Sequence, residues 1–322
     1  MHKQLPSWEF LLEQLRRKKR VMLLYVIESK GSSPGRQGFM MVVNEAGEMH
    51  GSLGGGIMEH KFVELAKEKL QGQQDRVLLF NQKHDKVAAR NQSGMICSGE
   101  QTILMHRANP ADLPFIERIA ASLHANGHGC LQFSPTGIAF SEKIPTQQFY
   151  LNLTDEQNFL YEEKTGFKNE LIIIGGGHVA LALSKLISAL DFYIRLYDHR
   201  DNLYTMQQNL FVQEKNVVND FAGLAELVTG GPDHFAVVMT VGYRTDAIAL
   251  KAIINKNWKY LGILGSNYKI AKLKNDFEKE GFSPHRLSSI HAPIGIAIKS
   301  QTPEEIAISI AAEMILVKNR DC

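Results

Sequence analysis

The stretch "LIIIGGGHVALALSKL", Leu171 to Leu186, limits the fold of this chain more than any other. Four apolar residues that read as a buried strand run into three glycines and then into a helical pattern. Gly175, Gly177 and Ala180 fit G-x-G-x-x-[GA] at that junction. There the first glycine makes a tight turn, the second admits a pyrophosphate, and the third position lets the helix pack close to the sheet. Asp198 ends the next apolar stretch, "YIRLYD", 21 positions after Gly177. A carboxylate in that place binds ribose hydroxyls and favours an unphosphorylated 2′-OH. Strand, glycines, helix and acid agree on a Rossmann-like unit. Its glycines serve a dinucleotide, or only the packing of helix on strand.

The rest of the second half continues the alternation. "YIRLYD", "VVND", "FAVVMT" and "KYLGILG" read as further strands, with helix-like segments such as "TDAIALKAIINK" and "NYKIAKLKNDFEKE" among them. Apolar strands alternating with helices predict a doubly wound parallel sheet buried on both faces. Gly265 and Ser266 of "LGILGSNYK" then fall at the carboxyl edge of the sheet, in the ligand crevice. "TVGYRTD", Thr240 to Asp246, falls at the same edge, with Asp246 read as a helix cap. His178 opens the helix after the glycines, where the helix dipole favours a neutral imidazole. That ring suits hydrogen bonding or metal contact, or simply caps the helix; no metal centre is assigned. Thr302, Pro303, Glu304 and Glu305 form a clean start for the last helix.

The first half has a different pattern. Ser7 is expected to cap a helix through Trp8, Phe10, Leu11, Leu12 and Leu15. A strand, "VMLLYVIES", a turn-rich "GSSPGRQG", and a hairpin about Asn44 to Gly47 follow. A second helix is expected from about Ile57 to Gln71, with Ile57, Met58, Phe62, Leu65 and Leu70 on its apolar side. Two strands, a helix ending at glycine and the hairpin "CLQFSPTGIAFSE" complete an α+β pattern. The polar stretch Lys164 to Glu170 marks the boundary. The expected fold class is therefore α/β: a C-terminal Rossmann-like doubly wound parallel sheet over 168–322 and an N-terminal α+β domain over 1–165.

The first domain carries its own glycine cluster, "GSLGGGIME", entering the second helix. Exposed N–H groups at such a helix start form an anion seat. Gly54, Gly55 and Gly56 lack the Lys-Ser/Thr of a nucleotide P-loop, so the expected ligand is a compact anion. Ser52 belongs to that seat, and Glu59 can hold a donor of the ligand or cap the helix. Ser32, Ser33 and Arg36 can converge on it from the neighbouring turn. Cys97, in "SGMICSGE", is either a thiol made reactive by local N–H groups or a small buried filler.

The net charge of +2, from 36 basic and 34 acidic residues, makes no case for nucleic acid or an anionic membrane. Three cysteines without a CxxC spacing argue against a disulfide framework. No apolar run approaches the roughly 20 residues of a membrane span, and the N-terminal segment lacks a signal-peptide core. A cytoplasmic protein is expected.

Taken together the motifs resemble the XdhC/CoxI family, the xanthine dehydrogenase accessory factors. "GSSPGRQGFMMVV", "GSLGGGIME", "GMICSGE", "IIIGGGHVALAL", "LYDHRD", "YLGILGS" and "HAPIGIAIKSQTPEEIAISIAAEM" carry the resemblance in order along the chain. It implies binding of molybdenum cofactor (molybdopterin), support of its sulfuration with a cysteine desulfurase, and delivery to a xanthine dehydrogenase-type molybdoenzyme. It implies a maturation factor rather than a catalyst, and a homodimer. Gly54, Gly55, Gly56, Glu59 and Cys97 become its signature positions, with the phosphate on the glycines and Cys97 facing molybdenum or its sulfur. The chain reads Cys97-Ser98-Gly99 where the family often has Cys-Gly-Gly, and Thr240-Val241 where many members have Thr-His. The competing expectation is an NAD(P)-dependent oxidoreductase using the Gly175–Asp198 site.

Overall fold

The computed structural model describes residues 2–72, 76–83 and 99–320, and the chain divides into two compact units, Met1–Gly166 and Phe167–Cys322. The first unit is built on an antiparallel sheet of β1 (Val21–Gly31), β2 (Met40–Asn44), β3 (Met49–Gly51), β4 (Leu78–Lys83) and β5 (Gly99–Ala108), in the order β3-β2-β1-β5-β4. Strand β1 is apolar without interruption from Val21 to Ile27, where both its faces are covered. Val21, Leu23, Tyr25 and Ile27 face one core, shared with α1 (Leu5–Arg16) and α3 (Leu113–His124). Met22, Leu24 and Val26 face the other, against α2 (Gly56–Gln71). A second antiparallel sheet, β6 (Gly129–Ser134), β7 (Gly137–Ser141), β8 (Phe149–Asp155) and β9 (Asn158–Thr165), runs in the order β7-β6-β9-β8.

Two expectations for this unit are corrected, and one hairpin is added to them. Helix α1 begins at Leu5, two residues before Ser7, with Pro6 in its first turn and Gln4 as the cap residue. Ser7 is buried inside the helix, and its Oγ meets His50 Nδ1 at 2.8 Å. Ile57 is 58% exposed, because α2 turns Met58, Phe62, Val63, Ala66 and Leu70 inward instead. The β8–β9 hairpin was not expected. Its strand β9 alternates buried and half-buried residues, but one buried position is Glu163, which breaks the apolar pattern.

The second unit is a five-stranded parallel sheet: β10 (Asn169–Ile174), β11 (Phe192–Asp198), β12 (Glu214–Val217), β13 (Gly231–Val238) and β14 (Trp258–Ile263). The order β12-β11-β10-β13-β14 puts the reversal of winding between β10 and β13. Leu171 and Ile173 pack towards α4 (His178–Ile187), α5 (Tyr204–Gln208) and α10 (Pro303–Lys318). Ile172 and Ile174 pack towards α6 (Leu224–Leu227), α7 (Tyr243–Ile253), α8 (Asn267–Lys279) and α9 (Pro284–Ser288). Burial on both faces accounts for the run "LIII". Strand β12 lies three residues before the expected "VVND". Thr302 caps α10 reciprocally with Glu305. Among the described residues no helix is long and apolar enough to cross a membrane.

Candidate functional site

The first glycine cluster is held where three turns meet at one end of the first sheet. Gly54 has φ +117° and sits against the backbone of Pro34 and Gly35, so any side chain there would collide. Gly99 presses on Ser32 and Ser33 in the same way, and Gln101 Nε2 donates to the Gly35 carbonyl at 2.8 Å. Gly55 and Gly56 also have positive φ, but a side chain at Gly55 would meet nothing within 4 Å. The loop thus has a packed inner edge and an open outer one. Arg36 is exposed and spans its own turn to the Gly31 carbonyl at 3.0 Å.

The anion seat of this loop already holds an oxyanion from its own chain. Glu59, one turn into α2, accepts from Ser52 Oγ at 2.6 Å, Leu53 N at 3.0 Å and Gly55 N at 3.1 Å through one carboxylate oxygen. Ser52 Oγ in turn accepts from Gly54 N at 3.0 Å. Of the two roles expected for Glu59, the geometry is that of a helix-start cap. Cys97 lies outside the described residues.

The second cluster binds a carboxylate too, from farther away. Gly175, at φ +106°, lies against the backbone of Met239 and Thr240, which joins the β10 and β13 loops at the reversal point. Ala180, in the first turn of α4, is fully buried in the core between that helix and the sheet, as the motif requires. Gly177 caps α4, and a side chain there would meet nothing within 4 Å, so its smallness is not needed for packing. Asp198 is fully buried. Its Oδ2 accepts from Gly176 N at 2.7 Å and an Arg200 terminal nitrogen at 2.8 Å, and its Oδ1 from Arg200 N and Nε at 3.0 and 2.9 Å. Those four bonds use the acceptor capacity of a carboxylate. Burial alone would raise its pKa, but the bonds from Arg200 and from the Gly176 and Arg200 N–H groups outweigh it and hold the group below the usual range. The ribose contact expected of Asp198 is therefore not on offer in this arrangement; the group it presents outward is Arg200.

A cleft of about 730 Å³ opens at the carboxyl edge beside Arg200. Arg200 and His199 form one wall, Val241 to Thr245 at the start of α7 another, and Tyr268, Lys269 and Lys272 of α8 the third. Lys269 Nζ pairs with Asp246, which is fully buried and also accepts from Thr240 N at 2.8 Å and Thr240 Oγ1 at 2.7 Å. Asp246 is therefore not the helix cap that the sequence predicts: Gly242 occupies that position, and Asp246 ties two walls of the cleft together. A hydrogen bond to Asp276 pushes the pKa of Tyr243 up to about 12, keeping it a neutral phenol. Gly265 sits under the Lys269 stem, and Ser266 Oγ caps α8 through Lys269 N at 3.3 Å. His178 is on another side of the sheet edge, in an apolar groove of about 700 Å³ between α4 and α10. The motif pointed to Asp198 and missed the cations. Their signals were "DHR", a basic residue two places after the expected acid, and the Arg244 and Lys269 of "TVGYRTD" and "LGILGSNYK" at the same edge.

The model for the XdhC Rossmann domain matches residues 171–314, and the model for the XdhC and CoxI family matches residues 14–81. The chain belongs to the XdhC/CoxI family. Family relatives span both units. The chain is 25% identical to the protein YqeB of Escherichia coli K12 over 91% of its own length and 43% of that protein's. It is 27% identical to a probable xanthine dehydrogenase subunit from Bacillus subtilis, over 52% of this chain and 48% of that one. The chain thus spans less than half of the length of these two relatives. Against the molybdenum cofactor insertion chaperone PaoD of Escherichia coli K12 the identity is 23%, over 96% of this chain and 87% of that one. The fold is that of a solved Bacillus halodurans chain described as a xanthine dehydrogenase, with a TM-score of 0.72, 24% identity, and 98% and 97% of the two chains covered.

Proposed function

We propose that this XdhC/CoxI protein binds molybdenum cofactor and delivers it to a xanthine dehydrogenase-type molybdoenzyme. The observation that carries the reading is the alignment with PaoD, a molybdenum cofactor insertion chaperone, which runs through both units and most of that protein's length. The first glycine loop fits the cofactor's phosphate, because Glu59 already acts there as an intramolecular oxyanion on Ser52, Leu53 and Gly55. Gly55 and Gly56 leave its outer edge uncovered. Ser52 and Gly54–Gly56 would hold the phosphate, with Glu59 displaced or facing the pterin, and Cys97 would contact molybdenum or its sulfur. When bound, the cofactor supplies the molybdenum and sulfur that the target enzyme needs. This chain's residues retain and orient it while a cysteine desulfurase provides sulfur, and the working form is a cytoplasmic homodimer.

The test is purification under anaerobic conditions from cofactor-sufficient cells, with molybdenum analysis and fluorescence of the oxidised pterin. Pterin and molybdenum are expected to co-purify with the protein. If Cys97→Ala left both cofactor content and activation of the apo-enzyme unchanged, the thiol's role would be wrong. A second reading, an NAD(P)-dependent oxidoreductase, is favoured by the parallel sheet and the uncovered Gly177. It requires nucleotide turnover by protein that carries no pterin.

A further inference from the structure

The basic cleft of the second unit has features that cofactor delivery through the first glycine loop does not use. The whole chain is nearly neutral, with 36 basic and 34 acidic residues. Yet among the ten residues that line the cleft are Arg200, Arg244, Lys269 and Lys272, and no acid. Three aspartates are bonded to its walls: Asp198 braces Arg200, Asp246 braces Lys269, and Asp276 accepts from the Tyr243 hydroxyl. Asp198 and Asp246 are fully buried, beneath partners that line the opening. Arg244 and Lys272 have no carboxylate partner among the described residues. Lys272 lies instead over the Tyr243 ring, 4.8 Å from its centre.

Two further features give the cleft directionality. It is bordered by the N-termini of α7 and α8, of eleven and thirteen residues, whose dipoles add positive potential on the side of the cations. At the mouth stands Tyr268, 82% exposed, an apolar ring that packing does not require. Tyr243 is a second ring in the wall. Cations beside the open ring of Tyr268 match a ligand that has a phosphate-rich end and a flat base, since bases stack on aromatic rings independently of sequence. Gly242, uncovered within 4 Å, lets such a ligand approach the backbone.

We infer that this cleft binds a nucleotide through at least two phosphate groups, with its base on Tyr268. Because Asp198 is spent inside the fold and Arg200 faces out, a phosphate on the ribose is favoured over a free 2′-OH. This is the opposite of what the Rossmann acid implied from sequence. The phosphates can come from a 2′-phosphorylated dinucleotide or from a nucleoside diphosphate, and separate titrations distinguish the two.

The experiment titrates the intact protein by calorimetry with NADP, NAD, ADP and inorganic pyrophosphate at low and at moderate salt. NADP or ADP is expected to saturate the protein, NADP to bind at least tenfold tighter than NAD, and salt to weaken both. Arg244→Glu and Lys272→Glu, both at exposed positions, are each expected to lower affinity about tenfold or more, the worth of one charge-assisted hydrogen bond. Tyr268→Ala is expected to cost about five- to a hundredfold with nucleotide and nothing with pyrophosphate. Unchanged thermal denaturation of the three variants keeps the comparison free of folding defects. Equal binding of NAD and NADP overturns the phosphate selection, and pyrophosphate binding as tightly as ADP overturns the nucleotide assignment. Saturation by none of the four overturns the site. Pterin content is measured separately, so loss of nucleotide binding does not count against cofactor delivery.

Discussion

The two glycine-rich junctions look alike in sequence, and each holds a carboxylate of its own chain, but they hold it differently. In the first unit Glu59 comes from the next helix turn and binds two backbone N–H groups and a serine hydroxyl. It is half-buried and has no cation partner among the described residues. In the second unit Asp198 comes from a neighbouring strand, is fully buried, and is locked to Arg200 and to Gly176 N. A water-accessible carboxylate on neutral donors is exchangeable; a buried one in a four-bond cage is not. The first junction therefore keeps its anion seat, whereas the second has given its seat to the fold and moved its positive charge outward to Arg200.

Asp198→Ala breaks the comparison most severely. It leaves the buried Gly176 N–H without its acceptor and the Arg200 guanidinium, which water reaches, without its partner, so a loss of about 2–3 kcal/mol is expected, less than for a fully buried pair. Denaturant unfolding of the second unit measures it. The acid limb of the stability curve supplies an independent reading. The folded Asp198 carboxyl is held below its usual pKa, so its contribution is fully present above the unfolded value of about 4 and is lost as pH falls through the lower folded value. Asp198→Asn is expected to flatten that limb; an unchanged slope would show that Asp198 is not held ionised by the cage.

Within the second junction, two glycines separate packing from ligand approach. Gly175→Ala places a side chain at φ +106° against the Met239 backbone and is expected to cost about 1–3 kcal/mol for strain alone. Gly177→Ala enters open space with ordinary φ, and a cost below about 1 kcal/mol is expected from the weaker helix cap. Equal losses in the two variants would mean that Gly177 is also a packing residue.

Much of the second unit was legible because its rules are local and repeated. Apolar strands of four to six residues, the glycine turn and the Thr302–Glu305 cap all follow from short-range patterns. What was not legible depends on where a polar group is used up. The sequence shows Asp198 at the right spacing, but not that Arg200 two residues on would fold back on it. In the first unit the β9 strand is hidden by Glu163, whose carboxylate is buried by accepting from Tyr25 and Tyr161 hydroxyls at 2.7 Å each. Both phenols have their pKa raised by burial first and by that carboxylate second. Ile57 fails for another reason: three positive-φ glycines set where α2 begins, and that phase turns Ile57 outward while Met58 takes the inward place.

A small effect is also expected at Glu59, and it bears on whether the first seat is exchangeable. Glu59→Ala leaves three donors without their carboxylate, but at a half-buried site that water reaches, so a loss of about 1 kcal/mol is expected. The variant then presents an open oxyanion seat. Inorganic phosphate at ten times its dissociation constant would return about 1.4 kcal/mol through linkage, whereas the wild-type seat, already filled, would gain less. Thermal denaturation with and without phosphate measures the difference between the two proteins. An equal shift in both would place phosphate elsewhere on the molecule. No shift in the variant would mean that the loop is shaped for Glu59 alone, and the likeness between the two junctions would end at their glycines.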